Sequence, residues 1–245
     1  MFRLRNIKAN FEKTLALFVF LGFHLFSQNT DFTIQIEHVV GHQKLKLDSV
    51  EYLNALNQKF TVTKFKYYIS QIILKTNDAK VFRSNSTYLI DEENASSKNI
   101  VLKKIPSNNY ISIEFIIGVD SLHNCSGAQS DALDPILGMF WTWKSGYIFL
   151  KLEGKSEASS APAHLLEYHI GGYKWPDNCI RSIKINLEST SKNKKFSSIK
   201  LKADVLQILE NPLSIDFRTL PTVNNQLHAT QMADNYKDLF SVIKE

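Results

Sequence analysis

The run Leu133 to Gly154 reads LDPILGMFWTWKSGYIFLKLEG, and its punctuation decides the fold. Asp134-Pro135 and Gly138 mark a turn ahead of the aromatics, and Lys144-Ser145-Gly146 leads into a second apolar run, Tyr147 to Leu152. That order predicts a turn, a short strand, a tight connection and another strand. Trp141 and Trp143 stand two residues apart and so share a face of the first strand. Aromatic residues concentrate in this way where a core is thick or a site is being built.

Strand signals recur on both sides of this stretch. Phe32, Ile34, Ile36 and His38 alternate with Thr33, Gln35 and Glu37. Further runs are Phe60–Leu74, Thr87–Ile90, Ile100–Leu102, Tyr110–Ile117, Leu165–Ile170, Ile180–Leu187 and Ile199–Val205. Short β-branched and aromatic runs separated by Asn, Ser, Gly and Pro clusters indicate an all-β protein, here a single antiparallel β-sandwich domain with long loops. Between Ser121 and Asp134 the chain reads as a long polar loop carried by the sheet. The clear helical periodicity comes late, over Thr230–Ile243, where Met232, Tyr236, Leu239, Phe240 and Ile243 recur at spacings of three and four.

The N-terminus has a basic segment with Arg3, Arg5, Lys8 and Lys13, an apolar run from Leu15 to Phe26, and a polar exit at Ser27-Gln28. This is the pattern of a secretory signal peptide over residues 1–27, with the mature domain over 28–245. The apolar run is short of the roughly twenty residues a membrane span needs; an uncleaved N-terminal anchor is the alternative. The protein is therefore expected in the periplasm or secreted, with no stable membrane span. Residues 1–27 hold four basic groups and one acid, so without them the formal charge falls from +5 to +2. The lysines near Lys192 and Lys200 lack interleaved aromatics, which excludes nucleic acid as the partner.

Two cysteines, Cys125 and Cys179, fall in the exported part. In an oxidising compartment an even pair reads first as a disulfide. Closing that loop is worth about 4 kcal/mol. Two free thiols, or soft metal ligands, are the competing readings.

Enzyme signals are weak. The chain has no Gly-rich phosphate loop, no HExxH and no GxSxG. Asp120 or Glu153 could serve an envelope hydrolase, but no spacing singles out a carboxylate pair. Six histidines follow the signal segment, of which His38, His123 and His169 stand out. His38 continues an inward stripe, where a histidine is more often a satisfied core residue than a ligand. In Leu165–Ile170, alternation turns Leu166, Tyr168 and Ile170 to the core and places His169 on the other face. Histidines and paired indoles near strand ends suit copper, for which imidazole is an accepted ligand.

Several stretches resemble the MbnP-like family of exported bacterial copper-binding proteins. They include Phe65 to Ser70 (FKYYIS), Ile117 to Ser121 (IGVDS), Leu133-Asp134-Pro135 and Gly138 to Trp143 (GMFWTW). Gly146-Tyr147, Glu153-Gly154, Tyr168 to Gly172 (YHIGG) and Ala233 to Tyr236 (ADNY) also match. The resemblance implies a β-sandwich that binds copper through histidines, for uptake, storage or delivery. It implies His38, His123 and His169 as metal ligands, and Trp141 and Trp143 as modified or supporting residues. In some members a dihaem peroxidase-like partner oxidises a tryptophan to kynurenine. Here the loop reads His123-Asn124, the reverse of the order in better-studied members. A metal-free cell-envelope interaction module on the same scaffold is the alternative function.

Overall fold

The computed structural model describes residues 29–141, 146–187, 197–223 and 225–243. The segment read as a signal peptide lies outside these residues, as does Trp143. The first strands are β1 (Asn29–Val40), β2 (Gln43–Lys44), β3 (Tyr52–Leu53), β4 (Lys59–Thr76) and β5 (Val81–Ser84). Next come β6 (Tyr88–Asp91), β7 (Asn99–Pro106), β8 (Tyr110–Ile117) and the short helix α1 (Ser121–Cys125). After α1 follow β9 (Phe140–Trp141), β10 (Gly146–Tyr147), β11 (Leu150–Lys155), β12 (Leu165–Ile170), β13 (Arg181–Asn186) and β14 (Ser198–Asp204). The chain ends with α2 (Leu206–Glu210), α3 (Gln226–Asn235) and β15 (Phe240–Val242).

The larger sheet runs β12–β11–β4–β8–β13, with β3, β5 and β6 also paired to β4. The smaller runs β15–β14–β1–β2, with β7 on β1. Their inner faces form the core. Phe240 of the smaller sheet meets Tyr67 and Phe115 of the larger, with ring centroids 5.8 and 5.1 Å apart. The all-β sandwich read from the sequence is the fold observed. One pairing departs from an all-antiparallel scheme, since β1 and β14 run parallel.

The C-terminal helix is present but displaced from the span its periodicity suggested. It covers Gln226–Asn235, begins at the Asn225 cap, and gives way to a 3-10 turn at Tyr236–Asp238. Phe240 lies in β15 instead, because pairing with Ala203 on β14 satisfies its backbone while the ring enters the core. The apolar spacing there was a mixture of helix and strand faces. Among the described residues, no helix is long and apolar enough to cross a membrane.

Strand β4 has two working faces. Phe65, Tyr67 and Ile69 point into the sandwich and are buried, while Lys64, Lys66 and Tyr68 point outward. Tyr68 is nevertheless buried, because the chain between β8 and β11 folds back over this outer face and sets Tyr147 edge-on to it at 5.9 Å. The expected polar loop is thus a cover built from α1, two 3-10 turns (Asp131–Leu133 and Pro135–Leu137) and the β9–β10 hairpin.

At the β11–β4 junction the register shifts between Glu153 and Gly154. A Cβ on Gly154 would overlap the carbonyl oxygen of Thr61. Gly154→Ala is therefore expected to cost about 1–3 kcal/mol through overpacking. A lower urea midpoint with an unchanged denaturant slope checks it.

Candidate metal centre

Residue register places four strands' outward side chains in a row. His169 on β12 pairs with Lys151 on β11, Lys151 with Lys66 on β4, and Lys66 with Asp91 on β6. The next row holds Glu167, Glu153 and Lys64. Glu153 is the hub. Its Oε1 accepts from His169 Nε2 at 2.8 Å, and its Oε2 lies 3.3 Å from Lys64. The His169 hydrogen bond is the largest influence holding the Glu153 carboxyl down, at about 2. Partial burial works against it.

His169 and Gly171 lie on the same side of the strand-end turn. A Cβ on Gly171 would stand 2.7 Å from Cζ3 of Trp141 and 2.5 Å from the carbonyl oxygen of Tyr147. Only glycine lets the indole close onto the turn. The Trp141 indole therefore packs against Gly171, two residues past His169.

His123 approaches from the cover. Its Nδ1 is 2.6 Å from Oδ2 of Asp120, whose Oδ1 also caps α1 by accepting from the His123 N–H at 3.1 Å. Partial burial pushes the Asp120 carboxyl up, but the bonds from His123 outweigh it and hold the group below its usual range. The neighbouring Asn124 is buried and pins α1 to the hairpin, accepting from Tyr147 N at 3.0 Å and donating to Val119 O at 2.6 Å. His123 is thus attached to the far strand of the hairpin whose near strand ends in Trp141.

His38 does not join them. Its ring is in the core, T-shaped to Phe65 at 4.8 Å, with Nδ1 2.7 Å from Glu92 Oε2 and Nε2 2.9 Å from the Tyr67 hydroxyl. A carboxylate only accepts, so Nδ1 carries the proton and the Tyr67 hydroxyl donates to Nε2. Both nitrogens are committed, and the larger sheet separates His38 from the outward row. Of the two readings open for His38, the satisfied core residue is the one observed.

The cysteines are free thiols. Cys125 is exposed and donates to the Tyr173 hydroxyl at 3.1 Å. Cys179 is buried, receives Gln226 Nε2 at 3.4 Å, and burial pushes its thiol up to about 11. The expected disulfide is not formed. An even count suggests pairing only where a fold brings both sulfurs together, and here each has its own partners.

Sequence reasoning did not single out Lys151, and it quoted Asn124 and Gly171 only within the His123-Asn124 and YHIGG stretches. Lys151 Nζ donates to the Gly138 carbonyl at 2.5 Å, and its charge is half-buried. Burial is the main influence lowering its pKa, opposed by Glu153 and reinforced by Lys64 and Lys66. The partners of Lys151 depend on register that no local motif encodes. Asp120 with His123, by contrast, has the three-residue spacing of a helix cap, a local signal that the loop reading of Ser121–Asp134 passed over. Among the described residues, no three His, Cys, Asp or Glu side chains form a metal-sized group.

The MbnP family model matches residues 29–229. The chain belongs to the MbnP family. MbnP from Methylosinus trichosporium superposes with a TM-score of 0.58 at 14% identity, covering 87% of this chain and 98% of that one. At that identity the likeness is one of fold. No curated protein matches the chain at a significant level. Within the family matched, the GMFWTW and YHIGG stretches are the segments that here meet as Trp141 and Gly171.

Burial holds the His38 imidazole below its ordinary value of 6.5, although Glu92 and Asp91 pull it up. The unfolded chain then takes up a proton near 6.5 that the folded one resists. Stability is full above that pH and falls as the solution is acidified below it. Urea unfolding at about pH 7.5 and about pH 5 should show the loss, and His38→Gln should make it smaller.

Proposed function

We propose that this MbnP-family chain is an exported copper-binding protein, serving uptake, storage or delivery in the periplasm or outside the cell. The imidazoles of His169 and His123 act as donors. The observation that supports it is the state of their ring nitrogens. Glu153 engages Nε2 of His169, which leaves Nδ1 without a hydrogen-bond partner among the described residues. Asp120 engages Nδ1 of His123, which leaves Nε2 in the same state. A carboxylate that fixes one ring nitrogen orients the other and makes it more basic, the arrangement that metal-binding histidines use. Neutral imidazole suits copper among the divalent and monovalent transition metals.

Trp141 adds an apolar wall on the His169 side, limiting water there. Oxidation of Trp141 or Trp143 by a dihaem peroxidase-like partner would change the donors available, and intact mass of protein from its native compartment reports it. His38 contributes to folding rather than to the metal.

Titration of purified protein with Cu(I) and Cu(II) tests the reading. His169→Ala should abolish tight uptake, and Glu153→Ala should weaken it by about 10–100-fold. His38→Gln should leave affinity unchanged. No uptake by the unaltered chain, or uptake indifferent to His169, would leave a metal-free envelope interaction module on the same scaffold.

A further inference from the structure

We propose that Lys151 is the residue that positions Trp141 against the His169–Gly172 turn. The part concerning metal rests on the function proposed above; the geometry does not.

Lys151 sits on β11 directly opposite His169. Its ammonium reaches off the sheet to the carbonyl of Gly138 at 2.5 Å, three residues before Trp141. Gly138 is where the cover changes direction. It closes the Pro135–Leu137 turn in a left-handed conformation (φ 72°), its N–H donating to the Pro135 carbonyl at 3.0 Å. The next residue, Met139, is fully buried and accepts from Ile148 N at 2.8 Å. Fixing the Gly138 carbonyl from β11 therefore fixes the direction in which Phe140 and Trp141 leave. The same strand carries Glu153, which holds His169. One strand thereby sets both the imidazole, through Glu153, and the indole, through Lys151.

A purely structural role fits Lys151 poorly. Its side chain is only 12% exposed, and its separation from Glu153 is a long 3.9 Å. Methionine of similar length keeps the packing and strands no buried charge, because Glu153 retains His169 at 2.8 Å and Lys64 at 3.3 Å as its partners. What methionine cannot do is hold the carbonyl.

The test uses the full exported chain with Trp143→Phe and Trp175→Phe, so that Trp141 is the reporting indole. Metal-free protein is compared with and without Lys151→Met and Lys151→Arg by acrylamide quenching, emission maximum and melting. With Lys151→Met, quenching of Trp141 should rise roughly twofold and emission shift to the red as the indole loses its wall. Melting should stay within about 3 °C. Arginine, which restores a donor, should recover much of the protection.

Unchanged quenching in Lys151→Met overturns the proposal. So does a melting loss that accompanies the exposure and persists in Lys151→Arg, which would make Lys151 a structural support. A copper titration of the same proteins adds a second readout, with affinity about tenfold weaker in Lys151→Met. If the parent takes up no copper, the proposed function fails while the metal-free fluorescence still decides the role of Lys151.

Discussion

Side-chain alternation along β4 is the constraint on which the rest of the molecule depends. Phe65 and Tyr67 must be covered from one side, and the smaller sheet does so with His38 and Phe240. Tyr68, one residue on, must be covered from the other, so the chain between β8 and β11 cannot cross as a short hairpin. It departs at Gly118, whose N–H donates to the Tyr68 carbonyl at 3.1 Å, and returns at Ile148 and Phe149. Phe149 N donates to the Ile170 carbonyl, which lands the β9–β10 hairpin beside the end of β12. The meeting of Trp141 with the His169 turn follows from covering the sheet.

Among the described residues, His38, His123 and His169 each hydrogen-bond a carboxylate through one ring nitrogen, and burial decides what each becomes. In the core, a ring nitrogen left unpaired costs about 1–3 kcal/mol, so the Tyr67 hydroxyl completes His38 and removes it from further chemistry. His123 and His169 are partly exposed, where water can serve the second nitrogen at little cost. Their other ring nitrogens have no hydrogen-bond partner among the described residues. The same pair of residue types gives a fully paired ring inside and a ring with one open nitrogen outside.

Much of this was legible in the sequence where period two applied. The inward stripe from Phe32 to His38 and the outward placement of His169 both follow from alternation, and both are observed. The cap formed by Asp120 is equally local, yet the stretch it opens reads as loop because α1 is only five residues long. What could not be read depended on distant register. The parallel pairing of β1 with β14 joins segments far apart in the chain, and a lysine at position 151 gives no sign that its ammonium ends on Gly138. The disulfide expectation failed for a related reason: cysteine count carries no information on where two sulfurs lie. The C-terminal helix was misplaced because spacings of three and four over Met232–Ile243 continued through a strand.

Fold and site therefore rest on different amounts of sequence. A sandwich needs buried stripes of the right period and a few glycines where backbones approach, conditions that many sequences meet. This is how a TM-score of 0.58 coexists with 14% identity. The proposed site needs individual atoms: a carboxylate at position 153 to turn His169, a glycine at 171 to admit an indole, and an amide at 124 to pin the helix carrying His123. Each of these could change without disturbing the stripes. The metal role proposed for this chain accordingly stands or falls with such residues, in the outward row on β11 and β12 and in the cover above it.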